Sequence, residues 1–126
     1  MKTETIDGLS FETWTVDEVE KAFVANEIAL IDVRTPQEYA FEHIPGALLL
    51  PLSFFSAEKL PSQEGKRIVF HCGSGVRSGK VAAACAAAGI SPVAHMEGGF
   101  GAWKTEGKAY TGTDMATGAP KSVPAS

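Results

Sequence analysis

The stretch Arg67-Ile68-Val69-Phe70-His71-Cys72-Gly73-Ser74-Gly75-Val76-Arg77 decides how the rest of the chain is read. Arg67 to His71 is the clearest strand in the sequence and delivers Cys72 at its C-terminal end. Two glycines within the next three residues make a loop, and Ser78 to Ala88, with six alanines, reads as a helix stopped by Gly89.

Upstream, Thr15-Val16-Asp17-Glu18 has the form of a capping box, and Val16, Val19 and Phe23 follow at helical spacing, which predicts an amphipathic helix over about 16–25. The apolar run Ile28 to Val33 reads as a buried strand. Thr35-Pro36-Gln37-Glu38 is a second capping box with proline at the first helical position, opening a short helix to about Glu42. Ile44-Pro45-Gly46-Ala47 ends it, Ala47 to Leu50 is a further short strand, and Phe54 to Lys59 forms a helical turn before Pro61. Downstream, Pro92 to Met96 is one more strand, followed by a Gly98-Gly99 turn and a short helix near 102–105. Strands alternating with helices predict one α/β domain with a mostly parallel sheet covered on both faces. From Thr111 onward Gly, Ala, Ser, Thr and Pro recur with little apolar content, so the tail is expected to be disordered or draped on the surface.

The bulk properties narrow the function. At 126 residues the chain fits one ordinary domain, and 44% hydrophobic with 21% charged residues is a soluble globular composition. A net charge of −4 without Lys/Arg clusters argues against nucleic-acid or anionic-membrane partners. Two cysteines are too few for a disulfide framework, and His43, His71 and His95 lack metal-ligand spacing, so neither metal nor other cofactor is expected. No apolar h-region or membrane-length run is present, and a reducing cytoplasm is the expected compartment.

In open parallel sheets, ligands bind beyond the carboxyl ends of the strands, and Cys72 sits at such an end. The glycines allow backbone N–H groups to converge on one point, the next helix adds its positive N-terminus, and Arg77 and Lys80 add charge. Together these lower a thiol pKa and would hold a persulfide sulfur or a donor's oxyanions. The alternative is an inert core cysteine, which has no need of a Gly-x-Gly turn with an arginine behind it.

Over roughly residues 10–108 the sequence resembles the rhodanese homology domain. The resemblance rests on Ile31-Asp32-Val33-Arg34-Thr35-Pro36-Gln37-Glu38-Tyr39 with His43-Ile44-Pro45-Gly46-Ala47, on Ile68 to Ser78, and on Glu97-Gly98-Gly99-Phe100-Gly101-Ala102-Trp103, in that order. It implies a five-stranded parallel sheet flanked by helices, Cys72 as a persulfide-forming nucleophile, and residues 72–77 (Gly73, Ser74, Gly75, Val76 and Arg77 after the cysteine) as a loop whose N–H groups face the sulfur. It also implies two-step transfer of sulfane sulfur from a donor to cyanide or a cellular thiol. Related phosphatases of this fold place five residues between Cys and Arg; here four intervene, a cradle suited to sulfur.

Arg77 reads equally as an anion-binding group and as a helix-terminal partner for a carboxylate. Asp32 and Arg34 read chiefly as an internal ionic framework with Glu42 as a further partner, His71 as packed, Cys85 as a small core residue, and Gly98-Gly99 with Trp103 as turn and anchor. Cys72 to Val76 looks like the loop of mercaptopyruvate sulfurtransferases, although Arg77 replaces their threonine. A single domain favours thiosulfate or a protein persulfide as donor. A persulfide carrier loaded by a partner protein, and a non-catalytic binding domain, are the rival expectations.

Overall fold

The computed structural model describes residues 1–6 and 8–126. Among the described residues four helices, α1 (Val16–Val24), α2 (Pro36–Phe41), α3 (Val76–Ala87) and α4 (Gly99–Thr105), accompany strands β1 (Lys2–Ile6), β2 (Leu9–Trp14), β3 (Ile28–Asp32), β4 (Leu48–Leu49), β5 (Arg67–His71) and β6 (Val93–Met96). The sheet order is β1-β2-β6-β5-β3-β4. The five strands from β2 to β4 run parallel, and β1 adds a sixth, antiparallel to β2, at the edge.

Neither β1 nor β2 was expected from the sequence. Met1 to Thr15 reads as a polar, acidic stretch, yet Phe11 reaches the core and Glu12 is buried in an ion pair with Arg67 at 2.8 Å. Pairing across to β6, remote in sequence, supplies what local pattern does not.

Both faces of the sheet are covered. Ile28, Leu30, Val69, Ala94 and Met96 pack with Val16 and Val19 of α1 and with Phe100 and Trp103 of α4. Ile31, Ile68, Phe70, Cys72 and Val93 pack against Val81, Ala82 and Cys85 of α3. The alternation along β5 therefore puts Cys72 on the α3 face and His71 on the opposite side. Helix α3 buries Ser78, Val81, Ala82, Cys85 and Ala86, a regular i, i+3, i+4, i+7 stripe of small residues that lets it lie close to the sheet.

Both capping boxes are formed as read, Thr15 with Glu18 and Thr35 with Glu38. The helical turn near 54–59 is two 3-10 turns, Leu52–Phe54 and Ala57–Lys59. The C-terminal segment, for which the sequence suggests disorder or surface draping, carries an antiparallel hairpin of β7 (Tyr110–Thr113) and β8 (Pro120–Val123). Thr111 and His43 exchange backbone hydrogen bonds at 2.8 and 2.9 Å, and Tyr110 packs edge-on against Phe100. Among the described residues no helix is long and apolar enough to cross a membrane.

Candidate active site

Cys72 follows β5 directly, and Gly75, at φ +103°, serves as the N-cap of α3. That left-handed conformation is open to glycine at little cost, and it turns the Gly75 N–H onto Cys72 Sγ at 3.1 Å. The helix begins two residues earlier than expected, so Val76 and Arg77 belong to its first turn and the loop proper is 73–75. Cys72 has no exposed surface. Burial opposes ionisation of its thiol. The Ser78 backbone N–H and hydroxyl, with the N–H groups of Ser74 and Gly75, outweigh it and bring the pKa below the ordinary thiol value.

The loop is held from behind. Phe100 N–H donates to Cys72 O at 2.7 Å and Gly101 N–H to Gly73 O at 3.0 Å. Gly99, at φ +60°, lies so close that a Cβ there would sit 2.4 Å from Cys72 O. The Gly98-Gly99 turn is thus a clamp on the cysteine's own backbone, a role the sequence does not announce.

Arg77 donates from both terminal nitrogens to Glu38, at 2.6 and 3.0 Å. Of its two sequence readings, the structure shows the carboxylate partnership. Glu38 is also the capping residue of α2, and the Arg77 guanidinium holds its carboxyl down to about 2. A groove of about 280 Å³ lies beside this pair, lined by Val33, Arg34, Thr35, Pro51, Leu52, Ser53 and Arg77.

Asp32 and Arg34 form a buried, fork-like pair, with Arg34 Nε 3.0 Å from Oδ1 and Nη2 2.9 Å from Oδ2. Arg34 also donates to the backbone carbonyl of Glu42 at 2.6 Å and stacks over Phe100. The Glu42 carboxylate itself pairs with Lys104 at 2.9 Å. His71, buried beside Asp32 at 3.6 Å, is pushed by its burial toward the neutral form. Cys85 shares the core with Cys72, but burial without compensating donors raises its thiol to about 11. Two side chains that the sequence left out of the site adjoin it: Ser78 Oγ lies 3.6 Å from Cys72 Sγ and 3.0 Å from His95 Nδ1. Nothing in the sequence could join residues 72, 78 and 95, because two different strands and a helix bring them together.

A parallel α/β sheet with a backbone-cradled thiol at the end of its central strand defines the class: an α/β domain that presents a cysteine beyond the carboxyl end of its sheet. The chain belongs to the rhodanese-like domain family, whose model matches residues 15–106. It is 44% identical over 80 residues to an uncharacterized protein, slr1261, of Synechocystis sp., covering 64% of this chain and 45% of that protein. A sulfurtransferase of Allochromatium vinosum is 33% identical over 81 residues, covering 64% of this chain and 76% of the relative. The crystal structure of a rhodanese-like domain protein from Staphylococcus aureus superposes with a TM-score of 0.64 at 31% identity, covering 73% and 90% of the two chains. Among the curated relatives first matched, the chain spans less than two thirds of their length.

Proposed function

We propose that this domain is a sulfurtransferase that carries sulfane sulfur as a persulfide on Cys72. The observation that carries this reading is the convergence of N–H donors on Cys72 Sγ, with Gly75 at 3.1 Å, which stabilises an anionic sulfur. In the first step the Cys72 thiolate attacks the outer sulfur of a donor. With thiosulfate the S–S bond breaks, sulfite leaves, and Cys72 holds the S–S⁻ group; with a persulfide the departing group is a thiolate. In the second step cyanide or a thiolate takes the outer sulfur and Cys72 leaves as thiolate again. Sγ is screened from solvent, so transfer entails a small shift of the 73–75 backbone, which Gly73 and Gly75 permit.

Arg77 is neutralised by Glu38, which favours a persulfide over the thiosulfate dianion as donor. A reducing cytoplasm suits such a thiol. Exposed apolar side chains, Leu52 at 38% in the groove lining and Val76 at 63% next to Arg77 in the chain, favour a second reading in which a partner protein loads the sulfur.

Intact-mass spectrometry after incubation with thiosulfate, mercaptopyruvate or glutathione persulfide tests the proposal. An adduct of about 32 Da, one sulfur, is expected on the wild type and not on Cys72→Ser. Loading that persists in Cys72→Ser sinks the assignment. Loading by a protein donor alone selects the carrier.

A further inference from the structure

The cradle around Cys72 opens on one side toward an imidazole that sulfur transfer as described above does not use. Ser78, fully buried in the first turn of α3, sits between Cys72 Sγ at 3.6 Å and His95 Nδ1 at 3.0 Å. Its other neighbour is the Gly75 carbonyl, a longer 3.3 Å contact. His95 stands on β6 on the α3 face, half-buried, with Nε2 3.4 Å from Thr13 Oγ1 and its ring 5.4 Å from that of Phe11. Gly79 passes beneath the ring; even a Cβ there would be 3.6 Å from Cε1, so the imidazole meets α3 with little between them.

We propose that Ser78 and His95 form a proton relay that ionises Cys72, with His95 accepting the thiol proton through the Ser78 hydroxyl. In neutral His95 with its proton on Nε2, Nδ1 accepts from Ser78, and the Ser78 oxygen accepts from the Cys72 thiol. The Cys72 proton moves to Ser78 Oγ as the Ser78 proton moves to His95 Nδ1. The products are a thiolate, a hydroxyl now donating to that thiolate, and an imidazolium donating to the hydroxyl. No atom is gained or lost and total charge is unchanged. The same arrangement holds the thiolate when it departs from its persulfide in the second step.

The groups facing His95 suit this exchange. Glu97, just beyond β6, and Glu4 of β1 favour the imidazolium, while burial opposes it more strongly and keeps the resting ring neutral. β2 presents Thr13 and Phe11, α3 presents Ser78 and Gly79, and Phe70 is its register partner on β5; none of these titrates near neutrality. His95 is therefore a positioning residue for the proton, acting through Ser78, and does not touch the sulfur.

The inference rests on the proposed function only in taking Cys72 as the thiol that must ionise, and its test measures ionisation without turnover. Rates of Cys72 alkylation by iodoacetamide are followed against pH in wild type, His95→Asn, Ser78→Ala and Ser78→Thr. The wild-type profile is expected to carry the titration of a second group besides the thiol. In His95→Asn and Ser78→Ala that inflection is lost and the rate near about pH 6 falls roughly tenfold, the loss expected when the thiol midpoint rises by one pH unit. Ser78→Thr, which keeps the hydroxyl, retains the wild-type profile. A His95→Asn profile superimposable on wild type overturns the proposal. Should the variants fail to fold, the His95 ring is titrated by NMR in the wild-type chain before and after Cys72 is alkylated. A downward shift of its midpoint supports the relay, and an unchanged midpoint overturns it.

Discussion

Arg77 closes on Glu38. Its two terminal nitrogens meet the two carboxylate oxygens at 2.6 and 3.0 Å, and the same carboxylate caps α2 through Thr35. A cation that feels the cysteine's charge is thereby committed to a structural pair, and the first turn of α2 is tied to the first turn of α3. This pair shapes the charge that an incoming donor meets.

Releasing Arg77 should change the donor preference. Glu38→Gln preserves the capping box, which glutamine also satisfies, while removing the opposing charge. Its KM for thiosulfate, with cyanide as acceptor, is expected to fall several-fold, a modest Coulombic gain at a partly exposed site. The KM for glutathione persulfide should change less. Equal responses would show that Arg77 charge does not govern the donor.

Acid should weaken the same contact. The Glu38 carboxyl is held at about 2 by Arg77, below its unfolded value of about 4.3. Its contribution to stability is therefore present above about pH 4.3 and is lost as pH falls through about 2. Both side chains are about one-third exposed (34% and 37%), so solvent screening keeps the contribution small. Urea midpoints measured between these pH values should decline less steeply in Glu38→Gln than in wild type.

Gly99 and Gly89 offer a matched comparison. Both have positive φ, +60° and +87°, but a Cβ at Gly99 collides with Cys72 O and Gly73 whereas at Gly89 it meets nothing within 4 Å. Gly89→Ala should cost about 1 kcal/mol from the backbone alone. Gly99→Ala should cost about 2–4 kcal/mol and also slow Cys72 alkylation, because the collision displaces the cradle. Denaturant melts and alkylation rates on both variants check this.

Asp32 should matter to the fold more than to the chemistry. Asp32→Ala strands the Arg34 charge, which is 5% exposed, and is expected to destabilise the domain by about 3–5 kcal/mol. Thermal unfolding measures that loss. At a temperature where the variant remains folded, its Cys72 alkylation profile should match wild type; a large change there would give Asp32 a direct part in the reaction.

Cys85 should stay silent. With its thiol raised to about 11, alkylation near neutral pH should label Cys72 alone, and Cys85→Ala should leave that rate unchanged. Peptide mapping of the labelled chain decides.

The local elements were legible because their causes are local. The capping boxes at Thr15 and Thr35, the alanine helix, and the apolar runs of β3 and β5 all write their structure within a few residues. So did Cys72 and its glycine loop, because a strand end followed by Gly-x-Gly and a helix constrains the backbone wherever it occurs. The β1-β2 hairpin and the β7-β8 hairpin were not legible; their strands are short and polar, and they are held by partners such as β6 and His43.

For Cys72 itself, the division is clear. From the sequence came the expectation that backbone N–H groups converge on Cys72, and the structure places the Gly75 N–H 3.1 Å from its Sγ. Only the tertiary structure decided that Arg77 belongs to Glu38, that Gly99 clamps the loop, and that Ser78 leads to His95. Each of these is a contact between elements joined by parallel crossovers. A hydrogen bond across such a crossover depends on how strands are ordered in the sheet, and that order is settled by burial of the whole core.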